Sequence, residues 1–263
     1  MAATTAEAVR SRLMRVTDPE LDESIVELDY IDEIDIGDDD VTLHFTLPTA
    51  WCSPAFAWMM ATDARDELES LPGVDTAHIH LHDHMHQTEI NEGVNARLSF
   101  EESFPDADGE VRSVRATLDD KARLSRQYAA VEALLEAGLS PEQICALTPA
   151  DVEGDATEGP AHELPDQLPL YLADESFGVM VEARPLRRYL RKARTVDAVE
   201  GSDEPLFRTP EGDPIDPDDF DIVHKRGRLA QTNMTGQGGI CDALNESRRK
   251  KLNRDGPTVV DAD

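Results

Sequence analysis

Apolar residues recur at helical spacing near the start of the chain. Val9, Leu13 and Val16 fall on one face of a helix running from Thr4 to Val16, and Thr4 or Thr5 can cap it. Asp18-Pro19-Glu20-Leu21 stops that helix, because Pro19 has no N–H and holds Asp18 out of helical geometry. Residues 25–36 read as extended and Gly37-Asp38-Asp39-Asp40 as a turn. Val41, Leu43, Phe45 and Leu47 then alternate with Thr42, His44 and Thr46, the period of a half-buried strand, so the two runs form a hairpin. From Pro54 to about Leu71 the spacing returns to 3.6, with Ala57, Met60, Ala61, Ala64, Leu68 and Leu71 on one side and Pro72-Gly73 closing the run. Residues 76–82 predict a third strand with Ile79 and Leu81 facing the core. Helix, hairpin, helix and strand describe an α+β domain over 1–95: a small mixed sheet with helices packed on one face.

Beyond residue 95 the pattern becomes that of a mainly helical C-terminal extension. A helical extension occupies 96–150, with a long helix over 111–138 closed by Gly138 and a short one over 141–147 after Ser140. Residues 151–220 read as an acidic linker carrying one short basic helix near 184–195. Within it, 200–219 is acidic, proline-containing and expected to be poorly ordered. A basic helix over 221–252 and a loose tail complete a last segment, 221–263. There is no internal repeat.

Charge changes the picture most. The 263 residues carry 55 Asp and Glu against 25 Lys and Arg, a formal net charge of −30. Phosphate binding needs net positive surface somewhere, so nucleic acid is disfavoured as a partner. With 40% apolar content and clear periodicity, acidity reads as a surface suited to concentrated salt, where self-repulsion is screened. No apolar run approaches the ~20 residues that cross a bilayer, and the N-terminus lacks the basic-then-apolar order of a secretion signal. The expectation is a cytoplasmic protein without a membrane partner. Residues 221–254 hold eight Lys and Arg against three Asp and Glu, whereas 1–96 hold four Arg against 21 Asp and Glu. Docking of the basic segment on the acidic one, or on a partner protein, follows from that imbalance.

Candidate chemistry centres on sulfur and imidazole. Cys52, Cys145 and Cys241 are far apart and form no Cys-x-x-Cys, so neither a disulfide framework nor a zinc ribbon is indicated. Ser53 and Pro54 suit the cap and first position of a helix, which puts Cys52 at its entrance. The positive end of a helix favours thiolate, the form that binds soft metals and attacks electrophiles. The bland alternative is a small buried hydrophobe beside Trp51. His78, His80, His82, His84 and His86 recur at every second residue, so an extended strand points them to one face as either metal ligands or a solvated surface. Asp83, Glu89 and Asn91 lie close by in sequence. Gly236-Gln237-Gly238-Gly239-Ile240-Cys241 is not a nucleotide fingerprint, and its glycines allow close helix packing through which Cys241 can approach Cys52. No His-Glu-x-x-His or defensible Ser-His-Asp order is present, and nothing demands an enzyme.

Residues 9–92 resemble the small metal–sulfur cluster assembly family that includes SufT, PaaD-like proteins and the eukaryotic cytosolic iron–sulfur targeting factor. The stretches that carry the resemblance are Asp18-Pro19-Glu20-Leu21, Ile25-Val26-Glu27-Leu28, the hairpin, Thr49-Ala50-Trp51-Cys52-Ser53-Pro54 and Leu71-Pro72-Gly73-Val74. The family usually shows Gly-Cys-Pro at the cysteine; here Trp51 precedes Cys52 and Ser53 intervenes. The whole chain looks like a longer branch found beside multicomponent monooxygenases, on Asp83-His84, Glu89-Ile90-Asn91, Ser99-Phe100, Phe104 and the Cys241 segment. The resemblance implies two helices on a three- or four-stranded sheet and delivery of iron or an iron–sulfur cluster to a client metalloprotein. It implies that Cys52 touches the metal while Asp18 and Glu20 shape the adjoining loop.

The resulting expectation is a non-catalytic assembly or delivery factor. Its cofactor is transient iron or an iron–sulfur cluster, with Cys52 as first ligand and Asp83, His84, Glu89 and Cys241 as further candidates. Its partners are a client metalloprotein or another assembly factor, with a homodimer as one arrangement. One alternative is a metal-free interaction module supporting a multicomponent monooxygenase or carrier ATPase. Another is a thiol-dependent enzyme, which needs a histidine within hydrogen-bond reach of Cys52.

Overall fold

Thr5 caps the first helix: its Oγ1 accepts the Ala8 N–H at the start of α1 (Ala6–Leu13), which buries Val9 and Leu13. The computed structural model describes residues 4–107, 111–153, 166–172, 177–252 and 258–261. They fall into two units, Met1–Arg115 with Thr235–Asp263, and Ala116–Met234.

In the first unit α1 gives way to two short antiparallel strands, β1 (Thr17–Asp18) and β2 (Glu23–Ser24). Between them Asp18 Oδ1 accepts the N–H groups of Glu20 (2.9 Å) and Leu21 (3.2 Å), fixing the turn that Pro19 begins. The expected hairpin follows as β3 (Ile31–Ile36) and β4 (Asp40–Thr46). Its register slips between Ile31 and Glu33, where the buried Asp32 carboxylate accepts the Thr46 hydroxyl at 2.5 Å. Helix α2 (Pro54–Glu69) leads to β5 (Thr76–His82), which pairs parallel with β4. Strand alternation sets the core: Val41, Leu43 and Phe45 of β4 and Ala77, Ile79 and Leu81 of β5 are buried in one cluster with Val9, Leu13, Met60 and Leu68 of the helices.

Helix α3 (Gln87–Asn95) then runs along β5, and two asparagines one turn apart tie it there. Asn91 bonds both the N–H and the C=O of Leu81 (2.8 and 3.0 Å), and Asn95 does the same for Ile79 (2.9 and 2.9 Å). Each amide imitates one rung of a neighbouring strand and occupies an edge that would otherwise stand open. Short helix α4 (Phe100–Ser103) carries a Ser99–Glu102 capping box, and Trp58 meets Phe100 and Phe104 edge-on.

Helix α5 (Val111–Glu136) gives its residues from Ala116 onward to the second unit. That unit continues through α6 (Pro141–Ala146), α7 (Pro149–Glu153), the antiparallel hairpin of β6 (Gln167–Leu172) and β7 (Phe177–Glu182), α8 (Ala183–Thr195), and the first part of α9 (Phe220–Leu252). Leu134, Ile144, Leu170, Leu186, Tyr189, Leu206 and Phe207 share its core.

The basic helix expected near 184–195 is α8, but its surroundings differ from a linker. Residues 167–182 form a hairpin, and 200–219 is not poorly ordered: Leu206, Phe207 and Ile215 are buried there. The reason is polar. Gln127 donates to Arg208 O (2.8 Å) and accepts the Arg208 N–H (3.2 Å), while Arg123 donates to the carbonyls of Thr209 and Pro210 (both 3.2 Å). Most of the remaining expected linker, 154–165, lies outside the described residues.

The tail also departs from expectation. Thr258–Asp261 forms β8, parallel to β3, which gives a four-stranded sheet of order β5-β4-β3-β8 in the first unit. The fold is therefore α+β. No described helix is long and apolar enough to cross a membrane.

Candidate functional site

Two loops of the first unit meet beside the start of α2. One, Thr49–Ser53, is braced internally: Trp51 N–H donates to Thr49 Oγ1 (3.2 Å) and Cys52 N–H to Thr49 O (3.4 Å). The other follows β5, where Asp83 takes the left-handed region (φ 53°), so the chain turns sharply before His84. His84 Nε2 then donates to Cys52 O (3.0 Å) and Met85 N–H to Ala50 O (3.1 Å), clamping the second loop onto the first.

His84 is buried, and both its ring nitrogens are in use. Nδ1 accepts the His86 N–H at 3.1 Å, which assigns the proton to Nε2 and the neutral tautomer. Burial pushes its pKa down, against the pull of the Cys52 carbonyl. The imidazole thus faces the backbone of Cys52 rather than its sulfur.

Cys52 itself is half-buried at the mouth of α2, next to Ser53 and Pro54. The helix entrance does not leave it a thiolate. Burial pushes the thiol pKa up, and the charges of Asp18 and Glu20 push the same way, while the Thr49 hydrogen bond opposes them. Desolvation is the largest of these influences, and the helix terminus opposes it with only about 0.3–1 kcal/mol. Ser53 makes no side-chain cap bond, so its hydroxyl does not reinforce the helix end there. Asp18, buried and holding Tyr30 Oη at 3.3 Å, has its own pKa raised by burial against its hydrogen bonds.

Among the described residues the remaining candidates do not gather with the sulfur into one metal-holding group. Asp83 and Glu89 are exposed, and Glu89 Oε1 lies 3.9 Å from His86 Nδ1. Cys241 falls in α9, and its side chain lies outside the described residues. Among the described residues no three His, Cys, Asp or Glu side chains form a group able to hold a metal ion. Trp51 and Met85, 77% and 54% exposed, flank the clamped loops as apolar surface.

The histidine run divides at Asp83. His78, His80 and His82 lie on β5, whereas His84 and His86 belong to the loop beyond it. On β4, His44 stands within the same group: its ring stacks on His80 and His82 with centroids 5.0 and 5.1 Å away. Burial pushes the His80 pKa down, and the neighbouring histidines push it further. His44 was missed because its own strand shows it as an ordinary polar position; only the β4–β5 pairing reveals its neighbours.

Residues 6–79 match the family model described as iron-sulfur cluster assembly protein. The matched stretch holds Asp18, Glu20 and Cys52 and ends within β5, ahead of Asp83, His84 and Glu89. No curated protein and no solved structure matches the chain. The matched segment thus supplies the cysteine loop, and residues beyond the match supply the histidine that clamps it.

Proposed function

We propose that this protein is a non-catalytic, cytoplasmic factor that receives iron or an iron–sulfur cluster and passes it to a client metalloprotein, with Cys52 touching the cargo. The observation that carries this reading is Cys52 itself: a half-buried thiol on a loop clamped by His84, inside the segment that matches the iron–sulfur assembly family. A sulfur ligand is the right chemistry for iron in such clusters, but clusters are usually held by four cysteine thiolates. Cys52 alone cannot supply four thiolates, so the remaining ligands come from Cys241, from the client or from a second copy. A raised thiol pKa suits transient custody, because loading must expel a proton and release takes it back. Engagement of both His84 nitrogens supports a positioning role for that residue and disfavours a thiol–imidazole enzyme.

The test is anaerobic reconstitution with ferrous iron and sulfide, comparing the native chain with Cys52→Ser. The expected result is loss of most bound iron and sulfide and of the sulfur-to-iron absorption bands in the variant. Equal metal content in both proteins removes Cys52 from the site and with it this reading. A metal-free interaction module is the second reading, favoured by exposed Trp51 and Met85. It requires that Cys52→Ser still support client maturation while Trp51→Ala does not.

A further inference from the structure

The face of the first-unit sheet opposite the helices carries an arrangement that the cysteine loop does not use. In the parallel β4–β5 register His44 lies beside His80, and Thr46 beside His82. His44 Nδ1 and His82 Nε2 stand 2.8 Å apart, with the two rings 9° from parallel. On the far side of the His44 ring, Nε2 lies 3.5 Å from Asp35 Oδ2 on β3. Three adjacent strands therefore contribute one chain of groups, Asp35, His44 and His82.

We propose that this face binds a divalent transition-metal ion, chelated by His44 Nδ1 and His82 Nε2, with Asp35 orienting His44 from behind. Metal–imidazole bonds of about 2.0–2.1 Å at a right angle place two nitrogens about 2.9 Å apart, so the observed pair already has the spacing of a chelate. The Asp35 carboxylate draws the His44 proton to Nε2 and leaves the Nδ1 lone pair facing His82. A cation replaces the proton now lying between the rings once each ring tilts its lone pair off the N–N line toward it. It also requires that His82 carry its own proton on Nδ1.

Imidazole donors select ions such as nickel, copper or zinc over magnesium and calcium, which prefer oxygen. The strands are held from beneath by Val41, Leu43, Ile79 and Leu81, all fully buried, so the two Cβ atoms are fixed before the ion arrives. The side chains of His44 and Asp35 are 25% and 45% exposed, which leaves room for water at the other coordination positions. With two protein ligands the ion is exchangeable. This inference does not depend on the reading of Cys52.

The test uses nickel ions and the full chain carrying Cys52→Ser, Cys145→Ser and Cys241→Ser, so that no thiol competes. Calorimetric titration is expected to show a site that His44→Gln or His82→Gln weakens at least about tenfold. Asp35→Asn is expected to weaken it by about tenfold, the lower end for a group that orients a ligand. His78→Gln, on the same strand but outside the pair, is expected to bind as the background protein does. Paramagnetic nickel at low occupancy should broaden the ring protons of His44 and His82 before those of His224, a readout that needs no histidine variant. Undiminished binding in both glutamine variants, an equal loss in His78→Gln, or broadening that spares His44 and His82 overturns the proposal.

Discussion

The two units bury ionisable groups of opposite type, carboxyl groups in the first and guanidinium groups in the second. In the first, the buried carboxyl groups of Asp18 and Asp32 brace a turn and a strand, while Asn91 and Asn95 satisfy the edge of β5. In the second, charged groups enter the core: Arg123 is 2% exposed and Arg208 8%, beside the buried Tyr189. Burial pushes the Tyr189 phenol far above its usual range, although the two guanidinium groups pull it down. The first unit is built on alternation and has its candidate chemistry at loop ends and on an open sheet face. The second is built on side chains that hold an irregular segment by its carbonyls, so its polar groups are structural.

The largest expected effect breaks that structural role. Arg123→Ala removes both bonds to Thr209 and Pro210 and leaves a void, an expected loss of about 3 kcal/mol. Trp51 and Trp58 both belong to the first unit, so tryptophan fluorescence follows that unit while circular dichroism follows both. In urea the variant is expected to shift the dichroism transition and leave the fluorescence transition in place. Equal shifts in both would mean that the units unfold as one body and would break the contrast.

A smaller effect is expected from Asp18, one of the first unit's buried carboxyl groups. Asp18→Ala strands two backbone N–H groups and the Tyr30 hydroxyl, at an expected cost of about 2 kcal/mol in the fluorescence transition. Asp18→Asn keeps an acceptor for the turn. Because burial raises the Asp18 pKa, the folded state favours its proton, and that contribution to stability is full at acid pH and lost as pH rises through the raised value. The Asn variant is therefore expected to gain on the native chain as pH rises and to lose that gain below the usual carboxylate range.

The smallest effect concerns the cysteine loop. Alkylation of Cys52 by iodoacetamide, followed by peptide mass spectrometry, is expected to be slow at neutrality and still climbing at pH 9, since its pKa lies above the ordinary 9.0. Glu20→Gln removes one of the two opposing charges and should speed alkylation about twofold at fixed pH, less at high salt. A rate that levels off near neutrality would restore the ionised thiol of the sequence reading.

What could be read in advance follows the same division. The hairpin of β3 and β4, α2 and β5 were legible because each buries one face and its period shows it. The basic helix α8 was legible for the same reason: Leu186, Leu190 and Ala193 recur beneath its arginines. The hairpin of β6 and β7 was not, because Pro169 and acidic neighbours disguise the buried Leu168 and Leu170. Residues 200–219 were misread because their order comes from Arg123 and Gln127, some eighty residues away in sequence. At the site, Cys52 was visible as a helix-entrance residue, but its protonation was not, since the opposing carboxylates sit on a different loop. His84 stood out by type and turned out to bond a carbonyl, while His44 carried no local mark at all.

Strand β8 has a consequence for synthesis. Of the four strands in its sheet it leaves the ribosome last, long after β3, and everything between Ala116 and Met234 is translated in the interval. The β3 edge therefore stays bare throughout that time, and the second unit has its full complement of residues before the first does. A growing chain of this protein finishes its inserted half first and seals its older half only when residues 258–261 emerge.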